Sequence, residues 1–202
     1  MNNNYTYIIA SLPVLSPDYR PAEGGDCSGV IEWIKSQLDA KDAARADFVV
    51  KGFTPGCLDE EFYLLALKEK NRFIREFFTA DLRLRNAKVA YLNSSLGRKE
   101  GTDVITIEGL PEDCDAQKVR ALFGNPDLLG REKSVDDYLW KKADSIVLLE
   151  NFTLDNVLAL VAKLCIIQRW MALDETTGRQ LLRRLVGDVR GTYGKIEFET
   201  IK

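Results

Sequence analysis

The side chains available for chemistry are carboxylates, thiols and amines, because the 202-residue chain contains no histidine. Imidazole bases, His-containing triads and His metal ligands are thereby removed. A nucleophile would need a Ser–Lys or Cys–carboxylate device, and no G-x-S-x-G elbow or similar signature occurs. The four cysteines, Cys27, Cys57, Cys114 and Cys165, lie far apart. None has the CxxC spacing of a zinc site or dithiol motif, so reduced and mostly buried thiols are expected. Five residues separate Gly124 from Gly130 in GNPDLLGREKS, where a Walker phosphate loop needs four and then Lys-Ser or Lys-Thr. A connection between helices is the better reading of that stretch. Asp81 stands out among the carboxylates because it interrupts an apolar helical stripe. Arg85 lies four residues on, at ion-pair spacing. No second polar group accompanies Asp81 in sequence, which points to a structural or interface role. No enzyme, cofactor or metal site is expected.

Basic residues cluster twice. Arg72, Arg75, Arg83, Arg85 and Lys88 share one helical stretch, opposed there by Glu76 and Asp81. Arg179, Arg183, Arg184 and Arg190 crowd a second. Such faces suit an acidic protein surface or RNA. The chain as a whole carries a net charge of -3 and a pI near 5.2, which disfavours nucleic acid.

These side chains must be positioned by helices. Hydrophobic residues make up 46% and charged residues 29%, ordinary values for a globular domain. Residues 5–12 combine Tyr, Thr and Ile as a short extended segment would. The run from Tyr7 to Leu15 is broken by Pro13 and lacks a preceding Lys or Arg, so an export signal is not expected. No apolar run reaches the ~20 residues of a membrane span. Residues 13–26 read as a Pro- and Gly-rich loop, and Ser28 can cap a helix carrying Val30, Ile31, Trp33, Ile34 and Leu38. A second helix is predicted over 40–50 and a third over 59–67. The strongest signal follows Asn71 and runs without Gly or Pro to Gly97. It bears one stripe of Ile74, Phe78, Leu82, Val89, Leu92 and Leu96, and another of Phe73, Phe77, Leu84 and Tyr91. Residues 98–115 read as an exposed connection in which DVITIEGLP has the composition of a short strand. Further helices are predicted over 115–123, 134–150, 153–173 and 174–187, the third of them nearly all apolar and central. KIEFETI near the end alternates as a short strand or ordered tail would. The expected fold is mainly α, a single helical protein divisible into lobes at 1–100 and 101–202.

Two segments resemble the C subunit (d in eukaryotes) of V-type and archaeal-type rotary ATPases. In FFTADLRLRNAKVAYLNSSLGR, the residues Asp81, Leu82, Asn86, Ala87, Lys88 and Gly97 stand where that family has its acidic helix pattern. In NFTLDNVLALVAKLCIIQRW, Phe152, Lys163, Gln168 and Arg169 match the family's late helix. Leu164 and Ile167 depart from it, the family usually having Glu there. YTYIIASLP resembles the start of an uncharacterised bacterial family encoded among V-type ATPase subunits. The resemblance implies a non-catalytic, all-helical adaptor in the cytoplasm, peripheral to the inner membrane. Its partners would be the central-stalk subunits and the membrane proteolipid ring. The C subunit has three related helical domains, more than 202 residues can hold, so a shortened socket or an accessory is implied. Asp81 and Asn86 would then fix helix geometry, and the basic faces would meet acidic partners. The alternative is an RNA-associated or regulatory helical adaptor using the same faces.

Overall fold

The computed structural model describes residues 4–16, 27–111 and 114–172 of the chain. Among them are eight α-helices and no strand, as the mainly α reading expects. They are α1 (Tyr5–Ser11), α2 (Cys27–Ser36), α3 (Ala40–Lys51), α4 (Glu60–Lys68), α5 (Arg72–Ser95), α6 (Ala116–Leu122), α7 (Leu128–Val147) and α8 (Leu154–Met171). Backbone contacts divide the chain into Met1–Ile167 and Gln168–Lys202. The expected division near residue 100 falls inside the first unit, because α5 and α7 pack together across it. The expected helix over 174–187, KIEFETI, Arg179, Arg183, Arg184 and Arg190 lie outside the described residues.

Local chemistry sets the helix starts. Asp39, Asp59, Asn71 and Asp127 each turn a side-chain oxygen onto an amide of the first turn, of Asp42, Phe62, Ile74 and Gly130 respectively. Each bond satisfies a donor that the helix itself leaves without a partner, stabilising the end by about 1 kcal/mol. The end of α5 is equally legible. Gly97 takes φ +61°, Arg98 N–H reaches Asn93 O at 2.8 Å, and Gly97 N–H reaches Ser94 O at 3.4 Å. That pair of bonds is a Schellman closure, which a residue without a Cβ adopts freely.

Four expectations fail for identifiable reasons. Residues 5–11 are helical, because Asn4 caps Tyr7 N–H and Ile8 is fully buried. Ser28 lies inside α2, which already includes Cys27. Helix α7 begins at Leu128 and not near 134, since Asp127 caps the Gly130 amide at 2.7 Å. A Cβ on Gly130 would come within 2.7 Å of that same carboxylate, so glycine makes room for the cap. The DVITIEGLP stretch, residues 103–111, forms no strand. The Ile105 peptide bonds to the side chain of Asn86, and no neighbouring strand is available among the described residues.

The core centres on α5. Helix α5 packs against α4, α6 and α7, while α2 packs on α3. Phe48, Phe62, Phe77 and Phe78 interlock in stacked and edge-to-face pairs with centroids 4.7–5.8 Å apart. Such pairs add to the burial of their large apolar surfaces. Gly52 sits against this cluster, and a Cβ there would lie 2.3 Å from the Phe78 ring. Helix α8 is apolar on nearly every side and buried accordingly, with Val157, Leu158, Val161, Ala162, Leu164 and Ile167 fully enclosed. Burial pushes the Cys165 thiol up to about 12, and the nearby Cys27 adds to the shift. All four cysteines are free: Cys27 and Cys165 buried, Cys57 half-buried and Cys114 exposed. None of the described helices is long and apolar enough to cross a membrane.

Candidate functional site

The start of α5 is tied to two other helix ends by a polar clamp. Asn71 caps α5 with its oxygen and donates its amide to Asp155 Oδ1 at 2.5 Å. Asp155, in the first turn of α8, is buried. Arg72 donates to the Ile146 carbonyl at the end of α7 and to Glu150, each at 2.5 Å, and lies 3.6 Å from Asp155. The Thr153 hydroxyl donates to Glu150 at 2.9 Å and its backbone N–H to Asn156 Oδ1 at 3.0 Å, which completes the turn into α8. Phe152 in that turn takes φ +56°, a left-handed conformation that costs an aromatic residue energy and persists because the bonded turn holds it.

The far half of α5 is fixed to loops. Asn86 forms a two-way bond with the Ile105 peptide, at 2.8 and 3.1 Å, and Asn93 donates to Thr102 O at 2.7 Å. Lys88 pairs with Glu132 of α7 at 2.6 Å. Tyr91 lies between Phe123 and the guanidinium of Arg131, the latter 5.0 Å from its ring centre. On α4, Tyr63 donates to Asp81 Oδ2 at 2.7 Å. Burial, then the Asp81 charge and the bond to it, pushes the Tyr63 phenol far above its ordinary value. Tyr63 is therefore a neutral donor, and the pair joins α4 to α5.

The residues singled out in the sequence are accordingly dispersed. Arg75 donates to the Glu69 and Lys70 carbonyls at 2.8 and 2.7 Å, Arg83 to Pro111 O at 2.5 Å, and Arg85 to Asp103 O at 3.4 Å. Together with Arg72 and Lys88 they bond to backbone and carboxylates of this chain. Lys163 spans α8 and α7, pairing with Asp144 at 2.5 Å and lying 4.9 Å from the centre of the Trp140 ring. Arg169 is exposed in the last turn of α8.

One groove, of about 640 Å³, opens between α4, α5, residues 107–111 and Lys142 of α7. Leu64, Leu67 and Ile107 line it together with Lys68, Arg75, Arg83 and Lys142, against the carboxylates Glu76 and Glu108. Lys68, Lys142 and Ile107 escaped the sequence reading, since no local spacing relates residues brought together from three elements. Among the described residues no three Cys, Asp or Glu side chains are grouped to hold a metal ion. A lining of apolar side chains with more ammonium and guanidinium groups than carboxylates is suited to bind a molecule with an apolar body and negative charges.

No curated protein and no solved structure matches the chain. A family model described as "Protein of unknown function (DUF2764)" matches residues 51–192, a span that includes all of α4 to α8 and hence the clamp and the groove. The match covers well over half of the sequence, and the chain belongs to the DUF2764 family.

Proposed function

We propose that the chain is a non-catalytic subunit or accessory of a bacterial V-type ATPase, a C(d)-like socket or adaptor between the central stalk and the proteolipid ring. Its place would be the cytoplasmic side of the inner membrane, bound peripherally through the complex. One observation carries this reading. The two segments that resemble the C subunit lie in α5 and α8 and the turn before it, and these helices are joined through Asn71, Arg72 and Asp155. An element that transmits torque needs long helices whose ends cannot slip, and charge pairs bonded at both partners supply that rigidity. The alternative, an RNA-associated or regulatory adaptor, relies on the basic face of α5. Arg72, Arg75, Arg83, Arg85 and Lys88 on that helix all bond within the chain, which leaves phosphates fewer donors.

The test is affinity capture of the tagged full-length chain from native membranes after mild crosslinking. Recovery of the ATP-hydrolysing head, the central stalk and the proteolipid together is the expected result. Capture that enriches no rotary-ATPase subunit overturns the proposal.

A further inference from the structure

The groove beside α4 carries charges that the fold does not use. In a chain of net charge -3, its lining has Lys68, Arg75, Arg83 and Lys142 against only Glu76 and Glu108. Arg75 and Arg83 are committed to the walls, holding the α4–α5 turn and the Pro111 carbonyl. Lys68 and Lys142, like Glu76 and Glu108, have no side-chain hydrogen-bond or ion-pair partner among the described residues, and the four cations of the lining outnumber its two carboxylates. Leu64 and Leu67, both half-buried, and Ile107 at 9% exposure line the same groove. Apolar lining beside an excess of cations is surface that a partner can cover.

We infer that this groove docks an acidic amphipathic helix of a partner protein. Apolar residues at positions i, i+3 or i+4, and i+7 would lie on Leu64, Leu67 and Ile107, the usual mode of a helix in a groove. Flanking Asp or Glu residues would meet Lys68 and Lys142. That complementarity speeds encounter and rejects basic helices, whose charges would be left beside ammonium groups. The volume of about 640 Å³ admits several anchoring side chains. Because Arg75 and Arg83 hold the walls, little ordering is needed on binding, which favours affinity. This assignment deepens the adaptor reading by naming the class of segment the groove takes, and a synthetic probe lets the two fail separately.

The probe is a fluorescein-labelled 18-residue helix with a Leu face and Glu flanks, paired with a second in which Lys replaces every Glu. Anisotropy titrations with the full-length protein read both. The Glu probe is expected to bind at least tenfold more tightly than the Lys probe. The double variant Lys68→Glu/Lys142→Glu is expected to reverse that preference, a gain that an unfolded protein cannot produce. Equal binding of the two probes, or a preference unchanged in the double variant, overturns the inference. So does saturable binding of dodecanoate at the groove with no binding of the Glu probe, which would make it a site for small amphipathic anions. Failure here leaves the membrane capture result standing. Capture that recovers no ATPase subunit, with the Glu probe still bound, overturns only the ATPase reading.

Discussion

The two halves of α5 read alike in sequence and are held by different forces. From Phe73 to Leu84 the helix is enclosed, with Phe73, Ile74, Phe77, Phe78, Leu82 and Leu84 all buried. Beyond Arg85 the same spacing of apolar residues continues, yet Leu92 is 42% and Leu96 63% exposed. There the helix is held by directional polar bonds, from Asn86 to the Ile105 peptide, Asn93 to Thr102 and Lys88 to Glu132. Period alone shows that a helix has an apolar stripe. Whether the stripe is covered depends on what the rest of the chain lays over it. The first half draws on non-directional burial and tolerates small shifts only at the cost of cavities. The second positions a loop, and with it one wall of the groove, through bonds that must keep their geometry.

The contrast predicts a steep gradient of mutational cost. Phe78→Ala should destabilise the protein by about 3–5 kcal/mol in denaturant unfolding, through lost burial and a cavity in the aromatic cluster. Leu96→Ala, on the exposed end of the same stripe, should stay within about 0.5 kcal/mol. Equal costs would remove the distinction between the halves. Asn86→Ala should cost an intermediate amount, about 1–3 kcal/mol, since two bonds go and the Ile105 peptide loses its partner. Its particular signature would be faster hydrogen exchange at the Ile105 amide while Phe77 and Phe78 amides stay protected. Uniform acceleration across α5 would mean that the polar half is not a separate layer.

The smallest effect expected is pH-dependent and lies at the turn before α5. Burial tends to raise the Glu69 carboxyl, but Arg45 and the amides of Asn71 and Lys70 outweigh it and hold the group below its ordinary range. A carboxylate lowered on folding stabilises fully above its unfolded pKa, about 4.3, and loses that contribution as pH falls through the lower folded value. Unfolding curves from pH 7 to 3 should therefore show a loss below pH ~4.5 that Glu69→Gln diminishes. An unchanged acid limb in the variant would show that the Arg45–Glu69 contact does not stabilise the turn.

Some of this was legible from neighbours in sequence. Asn71 before a breaker-free run and Gly97 after it bound α5, because capping and left-handed closure are decided within a few residues. The apolar continuity of α8 was readable for the same reason. The Tyr- and Ile-rich start was misread as extended, since its helical state rests on Asn4 and on the burial of Ile8. Asp81 was recognised as a residue embedded in an apolar stripe, but its partner Tyr63 is 18 positions away on another helix. The arginines of α5 looked like a face for an acidic protein surface or RNA. Arg72 and Arg83 instead reach carbonyls 74 and 28 residues distant, separations at which no spacing rule operates.

The sequence by itself determined a mainly α-helical chain, the limits of its longest helix and the absence of imidazole chemistry. Each follows from residue type and short-range spacing, where the chain is its own nearest neighbour. Tertiary structure alone decided which apolar stripe is covered, which cations are consumed in clamping helix ends and which charged side chains come together in the groove beside α4. Those outcomes depend on which side chains meet after the chain has folded back on itself, and burial and hydrogen-bond partnership exist only once they do.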